Sequence, residues 1–366
     1  MTKHRVTAQD GLNVRTMRTT AGNSPIGLLP FGSIVDVLET VGEWRTIGPV
    51  QVSGVTLASP VRAYCFAAHT EPVVEPPPAT ISSFGVGANI QGTLDTAETC
   101  YQNGCRRFLF IDNFGAASEF MDRHPDATIH ARRWGFRASG DVGQMLHQLE
   151  GASDNRLIYE GPNEGDTNGQ NGPDLAYRLE CEVKLGEAIW AKGGKYAVGA
   201  FSVGEPDITK PENRKIIRDK LAPAYNAGKV YICMHLYSPD EAHIWKDDEL
   251  KWHERRFEWY FGDDEGHCGL DPNIRKIVCS EFGIDKGSVG GALACGFTEH
   301  DMRKWTLRAI EIMIRPITVT WRSTTQQYPS PILYVLLFIF GNSQRWAGYN
   351  HAQWMEMFRD IWARNA

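Results

Sequence analysis

From residue 81 onward, apolar runs of strand length alternate eight times with segments long enough to form a helix, and few folds accommodate that order. The runs are Phe84–Ile90, Arg107–Asp112, Thr128–Trp134, Arg156–Tyr159, Tyr196–Phe201, Val230–Leu236, Lys276–Cys279 and Leu333–Phe340. Between them, Asp174–Lys192 places Leu175, Leu179, Val183 and Ile189 at helical spacing, and Met302–Ile314 does the same with Trp305, Ala309, Ile312 and Met313. Strand–helix repetition of this kind predicts a parallel sheet, and eight units predict a closed (β/α)8 barrel, the TIM-barrel architecture, over residues 81–366. A doubly wound nucleotide-binding sheet is the rival. It requires Gly-x-Gly-x-x-Gly after the first strand, whereas Gly85-Val86-Gly87-Ala88-Asn89-Ile90-Gln91-Gly92 brings its last glycine too late.

Ahead of the barrel, Glu71–Pro78 carries four prolines and favours extended polyproline geometry, so residues 71–80 are expected to be a linker. Residues 1–70 break into short apolar runs with turn signals between them: Gly11–Arg15, Gly27–Gly32, Ile34–Leu38 and Gly42–Ile47. This spacing predicts a small all-β antiparallel barrel. The order of Leu12-Asn13-Val14-Arg15, Leu29-Pro30-Phe31-Gly32 and Gly42-Glu43-Trp44 resembles a bacterial SH3-like domain. The resemblance implies either attachment to cell-wall glycan or plain packing. The unit ends on Val61-Arg62-Ala63-Tyr64-Cys65, a departure from that family's usual pattern.

Composition narrows the classes of function. With 42% hydrophobic residues the chain must bury a large core, and a formal charge of −6 offers no basic footprint for nucleic acid or for an anionic membrane surface. The longest apolar stretch, Ile332–Phe340, is too short to cross a bilayer and is expected to be a buried strand. Met1–Arg5 leads into polar sequence, so no secretory signal is visible; that is compatible with cytoplasmic production, release by lysis or a trimmed sequence. The eight cysteines are expected to be reduced and buried. No metal or cofactor is expected: there is no His-Glu-x-x-His and no paired Cys-x-x-Cys, and His267-Cys268 lacks a second pair. No Gly-x-Ser-x-Gly elbow follows a strand either.

In such a barrel, polar residues beyond the carboxyl ends of the strands converge on one rim. The fourth strand opens into Tyr159-Glu160-Gly161-Pro162-Asn163-Glu164 and the seventh into Val278-Cys279-Ser280-Glu281-Phe282-Gly283. Two carboxylates on near-opposite strands can act across one scissile bond, one as acid and the other as nucleophile or base. Asn163-Glu164 and Glu281-Phe282-Gly283, at these strand ordinals, resemble the signature of glycoside hydrolase clan A, the retaining (β/α)8-barrel enzymes, over the whole segment from about residue 81. The resemblance implies Glu164 as acid/base, Glu281 as nucleophile and Asn163 as partner of a sugar 2-hydroxyl. It also implies that His235 or Tyr237, which alternation puts on one face of strand six, bonds the nucleophile. A guanidinium at the rim would stabilise that carboxylate, and Arg132 is preferred to Arg133, although clan members more often carry the arginine after strand two.

Trp346, past strand eight, stands where clan members commonly place the tryptophan under the reacting sugar, and Trp134 is the second choice for stacking. Glu160, deeper in its strand, is expected to be a buried hydrogen-bonding residue. Asp166 and Asp285 are expected to be solvated, Glu205 to reach a subsite, and Asp112, Asn113 and Asn89 to be available to sugar hydroxyls. Trp190, Trp305, Trp354 and Trp362 are expected in packing, and Trp245–Phe261 as a cleft wall or an outer helix. The function expected is an endo-acting retaining hydrolase of a β-linked polysaccharide or oligosaccharide. The alternative is a non-catalytic glycan- or cell-wall-binding protein on the same barrel.

Overall fold

The computed structural model describes residues 2–6, 8, 12–22, 24–29, 34–47, 50–52, 55–57, 63–72, 85–90, 93–163, 171–202, 204–240, 242–246, 250, 254–286, 290–340 and 349–364. Contacts divide the chain into two compact units, Met1–Ala79 and Thr80–Ala366.

The first unit is antiparallel throughout. Strands β1 (Thr2–Val6), β2 (Leu12–Val14), β3 (Gly27–Leu29), β4 (Ile34–Val41), β5 (Trp44–Ile47), β6 (Val50–Val52), β7 (Val55–Leu57), β8 (Ala63–Phe66) and β9 (Thr70–Pro72) form a five-stranded sheet in the order β8-β5-β4-β1-β9 and two pairs, β2–β3 and β6–β7. Val6, Leu12, Val14, Val35, Val37, Ile47 and Cys65 close a small core. Of the expected linker, residues 73–80 lie outside the described residues.

The second unit is a closed parallel barrel. Its strands are β10 (Gly85–Ile90), β11 (Arg107–Ile111), β12 (Thr128–Arg132), β13 (Ile158–Glu160), β14 (Lys195–Phe201), β15 (Tyr231–Ser238) and β16 (Ile277–Ile284). After a β17–β18 hairpin (Ile317–Trp321, Thr324–Tyr328), β19 (Ile332–Phe340) pairs with both β16 and β10 and closes the ring. The outer layer holds α1 (Leu94–Gln102), α2 (Phe114–Arg123), α3 (Val142–Gln148), α4 (Gly172–Ala191), α5 (Pro211–Lys220), α6 (Ala222–Asn226), α7 (Glu299–Ile314) and α8 (Met355–Arg364). The eight expected strand runs are the eight barrel strands, with ends moved by a few residues. Between β15 and β16 the described residues form 3₁₀ turns, His243–Trp245 and Arg256–Tyr260, rather than an outer helix. Trp252 and His253 lie outside the described residues.

Alternation along the strands sorts two apolar shells. Outward side chains such as Ile129, Tyr159, Ile232 and Phe282 pack under the helices, while Leu109, Ile158, Ala197, Cys233, Val278 and Leu336 fill the barrel's interior. The early glycines that evoke a phosphate loop serve this interior. A Cβ on Gly87 would overlap the Arg107 backbone oxygen and the Leu336 side chain, so glycine is what lets β10 and its neighbours close. Trp305, Trp354 and Trp362 are buried as expected, but Trp190 is 49% exposed on the outer face of α4, with the Lys229 ammonium 5.8 Å from its ring. All eight cysteines are free, and Cys295 alone of them is not buried.

One buried imidazole gives the barrel a pH dependence. His351 is enclosed by Phe340, Trp354 and Phe358, and burial pushes it down to about 3. The unfolded chain therefore takes up this proton near pH 6.5 while the folded protein resists it, so stability is full above about pH 6.5 and is lost as pH falls toward 3. His351→Phe should flatten the acid slope of urea-unfolding free energy by up to about 1.4 kcal/mol per pH unit. Equal slopes for the two proteins would contradict this assignment.

Candidate active site

The inward positions of four strands place polar groups above the apolar interior. On β12, His130 and Arg132 share the inner face; on β13, Glu160 follows Ile158; on β15, His235 and Tyr237 follow Cys233. Strict alternation on β16 would send Glu281 outward, because Cys279 packs in the outer shell. The register of β16 instead shifts between Cys279 and Phe282. Ser280 then meets Cys233 inside the barrel at 2.7 Å and the adjacent Glu281 also turns inward, while Phe282 returns to the outer shell and stacks on Trp305.

Glu281 is 6% exposed and is held from two sides. The Arg132 guanidinium donates to Oε1, the Tyr237 hydroxyl donates to Oε2 at 2.8 Å, and His235 Nδ1 lies 3.5 Å from Oε2. Arginine can only donate, so the 3.0 Å contact of Arg132 Nη1 with His235 Nε2 makes that nitrogen the acceptor and puts the ring proton on Nδ1, facing Glu281. Behind this group, Glu160 has no exposure. Its Oε1 lies 2.7 Å from His130 Nδ1 and its Oε2 3.7 Å from Arg132 Nη1, and His130 Nε2 bonds the Tyr334 hydroxyl. Burial works against the charge of Arg132, but Glu281 and Glu160 together raise its pKa above the ordinary guanidinium value.

Glu281 and Tyr237 open into a cleft together with Asn163, Trp134, Phe338, Asp285 and Tyr349. Asn163 Oδ1 has no hydrogen-bond partner among the described residues. The chain entering Asn163 is fixed from α4: Arg178 donates to the Pro162 carbonyl at 2.8 Å, and Glu182, paired with Arg178, accepts the Gly199 amide at 2.8 Å. Trp134 stands 42% exposed at the lip, its backbone amide held by the Asp112 carboxylate at 2.8 Å. The 3₁₀ segment after β15 is tied to the rim by Arg256, which donates to the carbonyls of Phe201 and His235.

The structure therefore brings Arg132, Asn163, His235, Tyr237, Glu281 and Trp134 to one end of the barrel. Glu164, Trp346 and Asp166 lie outside the described residues. Arg133 is turned away toward Glu150, with 2.7 Å between them. Asn113 accepts the Ala116 amide as the N-cap of α2, and Glu205 accepts from Asn171 in a loop network, so both already have structural partners. Asn89 is fully buried, and its side-chain amide has no partner among the described residues. Asp285, half-buried just past the end of β16, accepts the Tyr349 hydroxyl at 2.9 Å and lines the cleft. No sequence pattern marks Tyr349 or Phe338 as cleft residues. Among the described residues no group of three or more His, Cys, Asp or Glu is placed to hold a metal ion.

No family model matches the chain, and no curated protein matches it. Among solved structures it is similar to a glycoside hydrolase family 5 enzyme from Prevotella bryantii B14, at 14% identity over 78% of this chain and 97% of the other, with a TM-score of 0.45. It is also similar to a family 5 xyloglucan-specific β-1,4-glucanase from a ruminal metagenomic library, solved with XXLG, at 11% identity over 79% and 96% of the two chains, with a TM-score of 0.38.

Proposed function

We propose that the protein is a retaining glycoside hydrolase that cuts a β-linked polysaccharide internally. The observation that carries this reading is the setting of Glu281, a carboxylate held by Arg132 and Tyr237 at the carboxyl end of the seventh barrel strand, facing a cleft that Asn163 and Trp134 share. Two donors aimed at its oxygens hold the carboxylate in one orientation, as a nucleophile must be held. Glu281 attacks the anomeric carbon, forming a glycosyl ester as the glycosidic carbon–oxygen bond breaks. Glu164 gives its proton to the departing oxygen, then takes one from the water that hydrolyses the ester, which returns the sugar with its configuration retained. Asn163, whose Oδ1 has no partner among the described residues, accepts a sugar hydroxyl, and the Trp134 ring offers a flat face to a pyranose. Trp346 belongs to the same proposal as the platform beneath the reacting sugar.

The N-terminal unit is, on this reading, an SH3-like module that holds the enzyme on cell-wall or other insoluble glycan. Assaying new reducing ends on β-glucans, mannans, xylans, galactans and bacterial wall preparations tests the proposal. Release from one class, with the β-anomer appearing first by proton NMR, is the expected result. Binding without release on every glycan would favour the second reading, a glycan-binding protein on a glycosidase-like barrel.

A further inference from the structure

The barrel holds a second carboxylate that the reaction above does not use. Glu160 is wholly buried, with His130 on one oxygen and Arg132 near the other. Burial alone would raise its pKa, but the His130 contact and the Arg132 charge hold it below the ordinary carboxylate value, so it is an anion at neutral pH. One guanidinium thus stands between two carboxylates, touching Glu281 through Nη2 and facing Glu160 through Nη1. Each carboxylate keeps the cation's attraction but also feels the repulsion of the other anion across it, so each is stabilised less than it would be with the cation alone. Glu160's negative charge opposes part of Arg132's pull on the Glu281 oxygens, which leaves that carboxylate more nucleophilic than Arg132 alone would make it.

We propose that Glu160 is a positioning residue which, acting through Arg132, keeps Glu281 nucleophilic by opposing part of the guanidinium's pull on it and by fixing the guanidinium's orientation. This rests on the glycosidase reading. Among the described residues, the charged and titratable groups that face Glu281 are Arg132 from β12, His235 and Tyr237 from β15, and Asp285 with its partner Tyr349 across the cleft. Those that face Glu160 are His130 and Arg132 from β12, Cys233 and His235 from β15 and Tyr334 from β19. Arg132 is common to the two carboxylates, which is why a change at Glu160 should be read at Glu281.

The test is the pH profile of kcat/KM on the glycan that the wild type hydrolyses, for wild type, Glu160→Gln and Glu160→Asp. Removing the charge in Glu160→Gln should let Arg132 stabilise the Glu281 carboxylate alone, moving the acid limb down by roughly half a pH unit to one unit and lowering kcat by about tenfold. Glu160→Asp keeps the charge, so its acid limb should stay at the wild-type position whatever its rate. An acid limb unmoved in Glu160→Gln, with both variants slowed alike, overturns the proposal and leaves Glu160 a packing residue. Should Glu160→Gln fail to fold, carbon-13 titration of glutamate carboxyls in the wild type decides. A buried carboxylate ionised throughout about pH 4 to 8 supports the proposal, and one protonated over that range overturns it. An inactive wild type would overturn the glycosidase reading and this inference with it; an active wild type with an unmoved limb would overturn this inference alone.

Discussion

Glu281→Gln should abolish hydrolysis, lowering kcat by at least about 10³-fold, while the protein stays folded and still binds its glycan. The substitution is isosteric and keeps an oxygen to accept the Tyr237 hydroxyl, so the cleft loses a charge rather than its shape. What disappears is the electron pair that bonds the anomeric carbon, and no neighbour can replace it. Asp285 shares the cleft but is engaged by Tyr349, and Glu160 lies behind Arg132 with no path to a sugar. Reducing-end assays on purified variant and wild type read the effect. A loss smaller than about tenfold would remove Glu281 from the covalent step.

Arg132→Met should cost about 3–5 kcal/mol of stability and all measurable activity, because it strands two buried carboxylates without their common cation. Methionine fills much of the arginine stem's volume, so the loss is electrostatic rather than a cavity. Against a total stability on the order of 5–15 kcal/mol, the variant should melt well below wild type at neutral pH. Adding Glu281→Gln removes one of the stranded charges, and the double variant should recover roughly 1–3 kcal/mol relative to additivity. Denaturant unfolding of the four proteins completes the cycle. Additive losses would mean that the guanidinium and Glu281 are not coupled.

Much of the barrel was legible because a parallel sheet buried on both faces must be written as apolar runs, and each of the eight runs became a barrel strand. The slight preference for Arg132 over Arg133 had no such basis; the structure supplies one, since alternation along β12 sets Arg132 inside with His130 and turns Arg133 toward Glu150. Other features depend on terms that no local pattern carries. Glu281 points inward only because β16 slips register beside it, and periodicity read on the sequence cannot report a bulge. The β17–β18 hairpin was missed because Thr324–Gln327 is exposed on both faces and shows no alternation. Trp190 was misjudged because helical spacing fixes which residues share a face, and the outer face of α4 still accepts a tryptophan beside Lys229. Asp285 looked solvated because Tyr349, far along the chain, supplies the contact that holds it. The His130–Glu160–Arg132 group was legible only in part: Glu160 could be placed in its strand, but its partners come from the neighbouring strand.

The most direct measurement is the intact mass of the wild-type protein after incubation with a 2,4-dinitrophenyl 2-deoxy-2-fluoro-β-glycoside of the sugar it releases, followed by peptide mapping. The fluorine slows breakdown of the glycosyl ester, and a retaining enzyme should accumulate one added fluoroglycosyl group, mapped to Glu281. An enzyme that turns over its natural glycan but gains no mass, or carries the label on another residue, would contradict Glu281 as the nucleophile.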